Sequence, residues 1–294
     1  MATLAANGIN LYYESLGDDD AEPILLVPGL GTQLLRWTLP FCQQLTAMGY
    51  RVIRFDNRDA GRSTHLTHVP VPDFWAVGRA TAAGQRPDVP YTLQDMAADA
   101  IGLLDGLRIA RAHVVGRSMG GMIAQLMASA YPERIASLTS VMSSTGNPRL
   151  PGAAPDVMGL MVQRPPAPAE DEAGFVRHGL AFARRIAGAG FPFDEEAQRA
   201  LVLEEARIAH DPAAFGRQIA AIAATGDLRP ALARIVAPTL VVHGTDDPLV
   251  PPDCGRDTAA SIPGAELLLV EGMGHDLPSG AYGTVAAAIG RLRR

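Results

Sequence analysis

The chain has 294 residues, and 48% of them are hydrophobic, which is enough to bury a large core. Its 31 acidic side chains outnumber its 25 arginines, and lysine is absent, so the formal net charge is −6 and argues against a nucleic-acid partner. A single α/β domain commonly has about 200 to 250 residues, so the additional length predicts an insertion.

The amino-terminal part of the sequence has no basic stretch followed by an apolar run, and no window contains the roughly 20 apolar residues that span a bilayer. The two cysteines, Cys42 and Cys254, lie far apart and have no paired spacing. We therefore expect a protein without a membrane span that keeps free thiols in a reducing cytoplasm. The sequence leaves a homodimer open.

The first third of the sequence contains three predicted strands, at residues 9–14, 24–27 and 52–55. Four apolar residues at helical spacing predict a helix between the last two strands: Trp37, Phe41, Leu45 and Met48. Residues 66–90 contain several prolines and glycines, which predicts a long loop over the active-site edge. Thr92 then has the position and chemistry of a helix cap.

A serine with a glycine two positions to either side follows the apolar run at residues 111–115 and precedes a helical pattern. The sequence Gly116-x-Ser118-x-Gly120 predicts a nucleophile elbow, in which a serine occupies a strained strand-to-helix turn and the glycines avoid collisions. The helix would aim its free amides at negative charge that develops near Ser118. Residues 135–142 predict the next strand and complete a βαβ unit.

Strand patterns disappear between residues 143 and 234, where a proline-rich segment precedes several helical patterns. Asp194 and Asp211 are predicted helix N-caps, because an acidic side chain accepts hydrogen bonds from free amides. We interpret residues 143–234 as a cap of three or four helices, inserted into a core that residues 1–142 and 235–294 form.

Two later strands carry the partners that a serine nucleophile needs, since its hydroxyl requires a base and an orienting acid. The run at residues 238–243 leads to Asp247, and the run at 267–270 leads to His275. The carboxyl ends of parallel strands meet at one edge of a sheet, so both side chains are expected near Ser118. The chain order Ser118, Asp247, His275 is the order of an α/β-hydrolase triad.

These motifs resemble those of the α/β-hydrolases, and in particular the cofactor-independent, single-domain serine esterases. The resemblance covers nearly the whole chain and includes residues 27–31, at the position of the oxyanion loop, and residues 55–63 after the next strand. It implies a mostly parallel eight-stranded sheet flanked by helices, with a helical cap. It also implies hydrolysis of a small-molecule carboxylic ester without a cofactor. Residues 56–63 and 272–275 resemble those of bacterial methylesterases that act on polyketide products such as aclacinomycins.

The resemblance also assigns the main-chain amides of Leu30 and Met119 to the oxyanion hole, with one donor from the early loop and one from the residue after the nucleophile. It places Gly29, Trp37 and Arg117 among the candidate substrate contacts. Proline and glycine stand at positions 28 and 29 where many relatives carry His-Gly, which leaves main-chain donors unaffected.

The sequence leaves alternatives for the orienting acid and for the role of Arg117. Family spacing after Gly244 favours Asp247 over Asp246 as the orienting acid, and Asp246 is then expected to bind backbone in the turn. Arg117 stands where most relatives carry a small, apolar or aromatic residue or a histidine. We favour an ion pair with an acidic neighbour for Arg117 over binding of a substrate carboxylate.

Other chemistries compete with ester hydrolysis. Serine at the elbow argues against dehalogenase and epoxide hydrolase chemistry, which need a carboxylate nucleophile. Carbon–carbon bond hydrolysis stays open, and so does perhydrolysis, because Met119 with Trp37 resembles the cofactor-free haloperoxidases. A ligand receptor on the same fold is the alternative outside enzymes. No set of histidines, cysteines and carboxylates has metal-ligand spacing, so no metal is expected.

Overall fold

The computed structural model describes residues 2–293, in which eight strands form one sheet in the order β1-β2-β4-β3-β5-β6-β7-β8. Strands β3 to β8 run parallel to one another. At one edge of the sheet, β2 pairs antiparallel with β4 and β1 pairs antiparallel with β2. This arrangement confirms the mostly parallel eight-stranded sheet. The strands are β1 Ala2–Ala6, β2 Ile9–Leu16, β3 Glu22–Val27, β4 Tyr50–Phe55, β5 Ala112–Arg117, β6 Ile135–Val141, β7 Thr239–Gly244 and β8 Glu266–Val270.

Eleven α-helices within the same residues surround this sheet, and one-turn 3-10 helices lie at Leu34–Arg36, Pro132–Arg134 and Ser279–Ala281. None of them is long and apolar enough to cross a membrane. The helices are α1 Leu39–Ala47, α2 Phe74–Ala82, α3 Leu93–Gly106, α4 Met119–Ala130, α5 Pro155–Val162, α6 Glu172–Ile186, α7 Glu195–Ile208, α8 Pro212–Thr225, α9 Arg229–Leu232, α10 Pro252–Ser261 and α11 Tyr282–Gly290.

The central strand β3 shows why the sheet is buried on both faces. Leu25 and Val27 pack with helices α3 and α4, whereas Ile24 and Leu26 pack with α1 and α11. Successive side chains of a strand point to opposite faces, so this continuous apolar run fills two cores. The strands β5, β7 and β8 are parallel, so the segments that follow their carboxyl ends lie along one edge of the sheet.

Five helices, α5 to α9, connect β6 to β7. The side chains of Asp194 and Asp211 cap α7 and α8 as predicted, because each accepts a hydrogen bond from a free amide of the first turn. Helices α6 and α7 share a small core of Val176, Leu180 and Val202. The segment contains five helices where three or four were expected. The additional one is α9, a single turn whose Leu232 packs into the main core.

Two of the elements that were not predicted, β1 and α2, lie in the first third of the chain. Strand β1 contains only one β-branched residue, but the turn Asn7-Gly8 that joins it to β2 has positive φ angles of 47° and 80°. An Asn-Gly pair is a strong hairpin signal and was sufficient to predict β1. Helix α2 interrupts the predicted loop at residues 66–90. It is capped by Asp73, whose carboxylate accepts from the amides of Trp75 and Ala76.

Candidate active site

Ser118 lies between β5 and α4 with a φ of 53° and a ψ of −124°, a conformation that non-glycine residues rarely adopt. The surrounding chain holds it there. The amide of Ser118 donates to the carbonyl of Val141 at 2.9 Å, and its own carbonyl accepts from Ser143 Oγ at 2.7 Å and from the amide of Gly121 at 2.8 Å. The strained turn therefore presents the Ser118 hydroxyl above the sheet edge.

The two glycines of the motif are required by close backbone contacts. A Cβ atom at Gly116 would lie 2.0 Å from the carbonyl oxygen of Gly120. A Cβ atom at Gly120 would lie 2.3 Å from the carbonyl oxygen of Val27. Both distances are shorter than any van der Waals contact, so only glycine fits at these positions.

His275 connects Ser118 to Asp247. Its Nε2 atom lies 3.0 Å from Ser118 Oγ, and its Nδ1 atom lies 2.7 Å from Asp247 Oδ2. An ionised carboxylate only accepts hydrogen bonds, so Nδ1 carries the proton and Nε2 accepts from the serine hydroxyl. The structure thus brings together the three side chains that the sequence selected, and His275 and Asp247 are buried.

The Asp247 carboxylate is held in its ionised form. Burial raises its pKa, but His275, His243 and the amide of Val250 outweigh burial and lower the pKa to about 2. The amides of Leu249 and Val250 donate to Oδ1 at 3.0 and 2.8 Å, which fixes the carboxylate in the loop. Asp247 can therefore orient the imidazole and balance its positive charge when His275 takes up a proton.

The neighbouring carboxylate of Asp246 points elsewhere. It is exposed, its Oδ1 accepts from Thr245 Oγ1 at 3.0 Å, and its Oδ2 accepts from the amide of Ala189 at 3.4 Å. Asp246 thus binds the hydroxyl of its neighbour in the turn and a backbone amide of the segment after α6, whereas Asp247 contacts His275.

The segment Val27–Gly31 lies against the elbow. A Cβ atom at Gly29 would be 3.3 Å from Ser118 Cβ, so this loop directly adjoins the hydroxyl-bearing residue. Within residues 2–293, the amides of Leu30 and Met119 donate to no protein acceptor. The free amide of Met119 is expected at the first position of α4, because the first amides of a helix lack intrahelical partners. Two unengaged donors therefore flank Ser118.

Trp37, which the sequence placed among the substrate contacts, is instead a core residue. Its side chain is 0% exposed and its ring stacks on Phe41 at a centroid distance of 5.7 Å. A side chain without accessible surface offers nothing to a substrate, so we correct this prediction. The cause is that Trp37 precedes α1 and turns toward the packed interface of α1 with α11.

Arg117 leaves β5 on the same face as Trp37. Its Nη1 donates to the carbonyl of Arg36 at 3.2 Å, and its guanidinium lies 6.0 Å from the centroid of the Trp37 ring. Burial and the neighbouring charge of Arg36 together lower the pKa of Arg117 to about 10, although Asp276 opposes both. In the described part of the chain Arg117 forms no ion pair within 4.0 Å, so the direct pair that we favoured is not formed.

A second polar cluster lies under α8, where Asp59, His65 and Asp211 present ligand-type atoms within 4.8 Å of one another. Arg217 supplies the positive charge that balances these carboxylates. It donates to both oxygens of Asp59 at 2.8 Å and to Asp211 at 3.0 Å. This cluster is an arginine-centred network that joins α8 to the loop after β4.

Two polar residues at the site were not assigned from the sequence. His243, expected only as a strand residue, places Nε2 2.8 Å from the carbonyl of Val250 and 3.5 Å from Asp247 Oδ2. The four-residue spacing of His243 and Asp247 is the signal that was available for it. Gln218 of α8 contacts the Leu30 loop, and no local pattern could indicate a contact between residues 187 positions apart.

Comparison with known proteins agrees with the fold described above. The family model described as the alpha/beta hydrolase fold matches residues 22–279. The chain is 32% identical to rhodomycin D methylesterase DnrP of Streptomyces peucetius, an alignment that covers 96% of this chain and 94% of that protein.

Two solved structures have the same fold. The enol-lactonase from Burkholderia xenovorans LB400 is 24% identical with a TM-score of 0.72, and each chain is covered to 99%. The meta-cleavage product hydrolase from Pseudomonas fluorescens IP01 is 18% identical with a TM-score of 0.76, covering 99% of this chain and 97% of that one. The matches of sequence and of fold both extend over nearly the whole chain, which therefore belongs to the alpha/beta hydrolase fold family.

Proposed function

We propose that this protein is a carboxylic ester hydrolase that forms an acyl-enzyme on Ser118. The single observation that carries the proposal is the continuous chain of contacts from Ser118 Oγ to His275 Nε2 at 3.0 Å and from His275 Nδ1 to Asp247 Oδ2 at 2.7 Å. In this assignment Ser118 is the nucleophile, His275 the general base and Asp247 the orienting acid. The amides of Leu30 and Met119 are the proposed oxyanion donors.

In the first half of the proposed reaction, His275 Nε2 accepts the proton of Ser118 Oγ while Oγ bonds to the ester carbonyl carbon. The carbonyl oxygen becomes an oxyanion and accepts hydrogen bonds from the amides of Leu30 and Met119. When the tetrahedral intermediate collapses, the bond to the alcohol oxygen breaks and the imidazolium protonates the departing alkoxide. The acyl group then remains on Ser118 Oγ.

In the second half, His275 accepts a proton from water, and the hydroxide oxygen bonds to the acyl carbon. The bond between Ser118 Oγ and the acyl carbon then breaks. The imidazolium returns its proton to Oγ, and the carboxylic acid leaves. Asp247 keeps its charge throughout, which stabilises the imidazolium that forms twice.

The relatives favour a methyl ester as the first substrate to test. Rhodomycin D methylesterases DnrP of Streptomyces peucetius and DauP of Streptomyces sp. strain C5 are each 32% identical over 96% of this chain. We propose that the substrate is a small-molecule ester, and that the methyl ester of a polyketide product is one candidate. Gly29 and Arg117, which adjoin Ser118, remain proposed substrate contacts.

We also propose that residues 143–234 act as a cap over a core of residues 1–142 and 235–294. The small core shared by α6 and α7 supports a cap that packs partly on itself. The cysteines Cys42 and Cys254 are buried and free, which is compatible with the proposed cytoplasmic location. Light scattering of the purified protein would show whether it forms the homodimer that the sequence left open.

The proposal is tested with p-nitrophenyl acetate and butanoate and with a fluorophosphonate probe, each applied to the wild-type protein and to Ser118→Ala. We expect the wild type to hydrolyse the esters and to be labelled. Ser118→Ala should lose labelling and about 10⁶-fold in turnover. Equal turnover by both proteins would refute the assignment of the nucleophile.

Two further outcomes would redirect the assignment. Labelling of Ser118 without turnover of simple esters would favour carbon–carbon bond hydrolysis or a specialised ester. Neither labelling nor turnover, together with retention of a small ligand, would favour a receptor.

A further inference from the structure

Gln218 connects the cap to the loop that carries Leu30. Its side chain lies on α8 and is 0% exposed. Oε1 accepts a hydrogen bond from the amide of Gly31 at 2.8 Å, and Nε2 donates to the carbonyl of Arg58 at 2.9 Å. We propose that Gln218 is a positioning residue that sets the geometry of the oxyanion donor at Leu30, an inference that rests on the proposed function.

The Leu30 peptide is fixed on both sides. Thr32 Oγ1 donates to the carbonyl of Gly29 at 3.0 Å, and this carbonyl shares a rigid peptide plane with the amide of Leu30. In a trans peptide the two groups point in opposite directions, so the contact with Thr32 turns the Leu30 amide away from Thr32. On the other side, Gln218 fixes the plane that contains the Gly31 amide. The direction of the Leu30 N–H is thereby determined by two side-chain contacts.

The hydrogen bond from Gly31 to Gln218 lies where the loop packs closely on α8. Gly31 has a φ of 63°, and a Cβ atom at this position would lie 2.6 Å from Cδ2 of Phe215, one turn before Gln218 on α8. The loop and the helix are therefore in direct contact, and Gly31 depends on its glycine conformation. If its hydrogen bond to Gln218 were lost, the amide of Gly31 would be free to rotate toward another acceptor and would turn the adjoining Leu30 peptide with it.

Gln218 is itself held rigidly. Arg217, the preceding residue, makes a two-point contact with Asp59, and both side chains are buried. Arg217 Nη1 also donates to the carbonyl of Val69 at 2.9 Å. The Gln218 amide has a single workable orientation, because a flipped amide would aim NH₂ at the Gly31 amide and oxygen at the Arg58 carbonyl. The donor geometry at Leu30 is thus set from a helix of the proposed cap.

A purely structural role for Gln218 makes a different prediction. If Gln218 only stabilised the fold, its replacement would lower the melting temperature and leave the kinetics of the folded enzyme unchanged. A positioning role requires loss of an interaction that is made in the transition state, which lowers kcat and kcat/KM together and leaves KM nearly constant.

The test compares Gln218→Met with the wild type on p-nitrophenyl acetate. Methionine has nearly the same length and removes both hydrogen bonds. Loss of a complete oxyanion donor costs about 10² to 10³ in kcat, so we expect a displaced donor to cost about 10- to 100-fold with KM within a factor of two. The inhibition constant of a trifluoromethyl ketone, which forms a tetrahedral oxyanion adduct on serine, should rise by the same factor.

Three further variants separate geometry from stability. Gln218→Glu keeps an oxygen that accepts from Gly31 but aims its second oxygen at the Arg58 carbonyl, so it should lower the melting temperature and recover part of the lost kcat. Gln218→Asn, which keeps both polar groups at a shorter reach, is the milder change if Gln218→Met folds poorly. Val176→Ala lies in the small α6–α7 core, on α6, and should lower the melting temperature with unchanged kcat.

The outcomes distinguish this inference from the proposed function. If Gln218→Met and Gln218→Glu both lose stability but keep the kcat of the wild type, Gln218 has no positioning role, although Ser118-dependent hydrolysis stands. An unchanged inhibition constant for the trifluoromethyl ketone would also overturn the inference. If Ser118→Ala is as active as the wild type, the proposed function itself is wrong.

Discussion

The amide of His275 donates a hydrogen bond to the carbonyl of Ile186, the last residue of α6, at 2.7 Å. The amide of Gly190 likewise donates to the carbonyl of Gly272 at 2.9 Å. The loop that carries His275 therefore rests on the chain that leaves α6. His275 is positioned by this contact as well as by its own bond to Asp247.

We expect Gly188→Ala to disturb His275. A Cβ atom at this position would lie 2.0 Å from the carbonyl oxygen of Gly272 and 2.5 Å from the amide nitrogen of Gly274, so the two loops must separate. A shift of about 1 Å in a reacting group can cost about 100-fold in rate, so kcat for p-nitrophenyl acetate should fall by about 10- to 100-fold. The matched control is Gly159→Ala in α5, where a Cβ atom meets nothing within 4 Å. Comparable kcat values for the two variants would contradict this account.

Asp247→Asn should be far more damaging than Asp246→Asn. An asparagine can present NH₂ to His275 and so favour the wrong imidazole tautomer, which in a serine protease lowers kcat by about 10⁴. Asp246 is exposed and does not contact His275, so its replacement should change kcat by less than about threefold. Steady-state hydrolysis of one p-nitrophenyl ester by both variants tests this, and the reverse ranking would assign the orienting role to Asp246.

Acid should weaken the fold through Asp247. Its folded pKa is lowered to about 2, whereas an unfolded aspartate titrates near 3.9. A lowered folded pKa means that the ionised group stabilises the fold above pH 4 and that this stabilisation is lost as the pH falls from about 4 toward 2. The full difference is on the order of 2 kcal/mol.

Urea unfolding of the wild type and Asp247→Asn at pH 7 and at pH 2.5 measures this effect. The difference in unfolding free energy between the two proteins should be larger at pH 7. If the difference in unfolding free energy is the same at both pH values, titration of Asp247 does not contribute to the loss of stability in acid.

The two thiols should react slowly in the native protein. Burial raises the pKa of Cys42 to about 11 and also raises the pKa of Cys254, so little thiolate forms and reagents cannot reach it. With 5,5′-dithiobis(2-nitrobenzoic acid) at pH 8, we expect no rapid release of chromophore until guanidinium chloride unfolds the chain. Ser279→Cys places a thiol at an exposed position and is the positive control. Rapid reaction of the native wild type would mean that a cysteine is accessible.

The elbow and the triad order could be predicted from the sequence because they depend on local sterics and on the order of strands. Only glycine fits beside the strained Ser118, and parallel strands place the loops after β5, β7 and β8 at one edge. The caps Thr92, Asp194 and Asp211 were predictable for the same reason, since each side chain bonds amides within its own first helical turn.

Tertiary structure alone decided the contacts between distant segments. Helical spacing placed Trp37 on a helix face, whereas in the structure it precedes α1. Only its packing at the interface of α1 with α11 shows that its side chain is closed to a substrate. Arg117 lost its expected carboxylate partner because its strand aims it at the Arg36 carbonyl and the Trp37 ring. The bond of Gln218 to Gly31 joins residues 187 positions apart, and such a pair depends on how a whole helix docks, which no local pattern encodes.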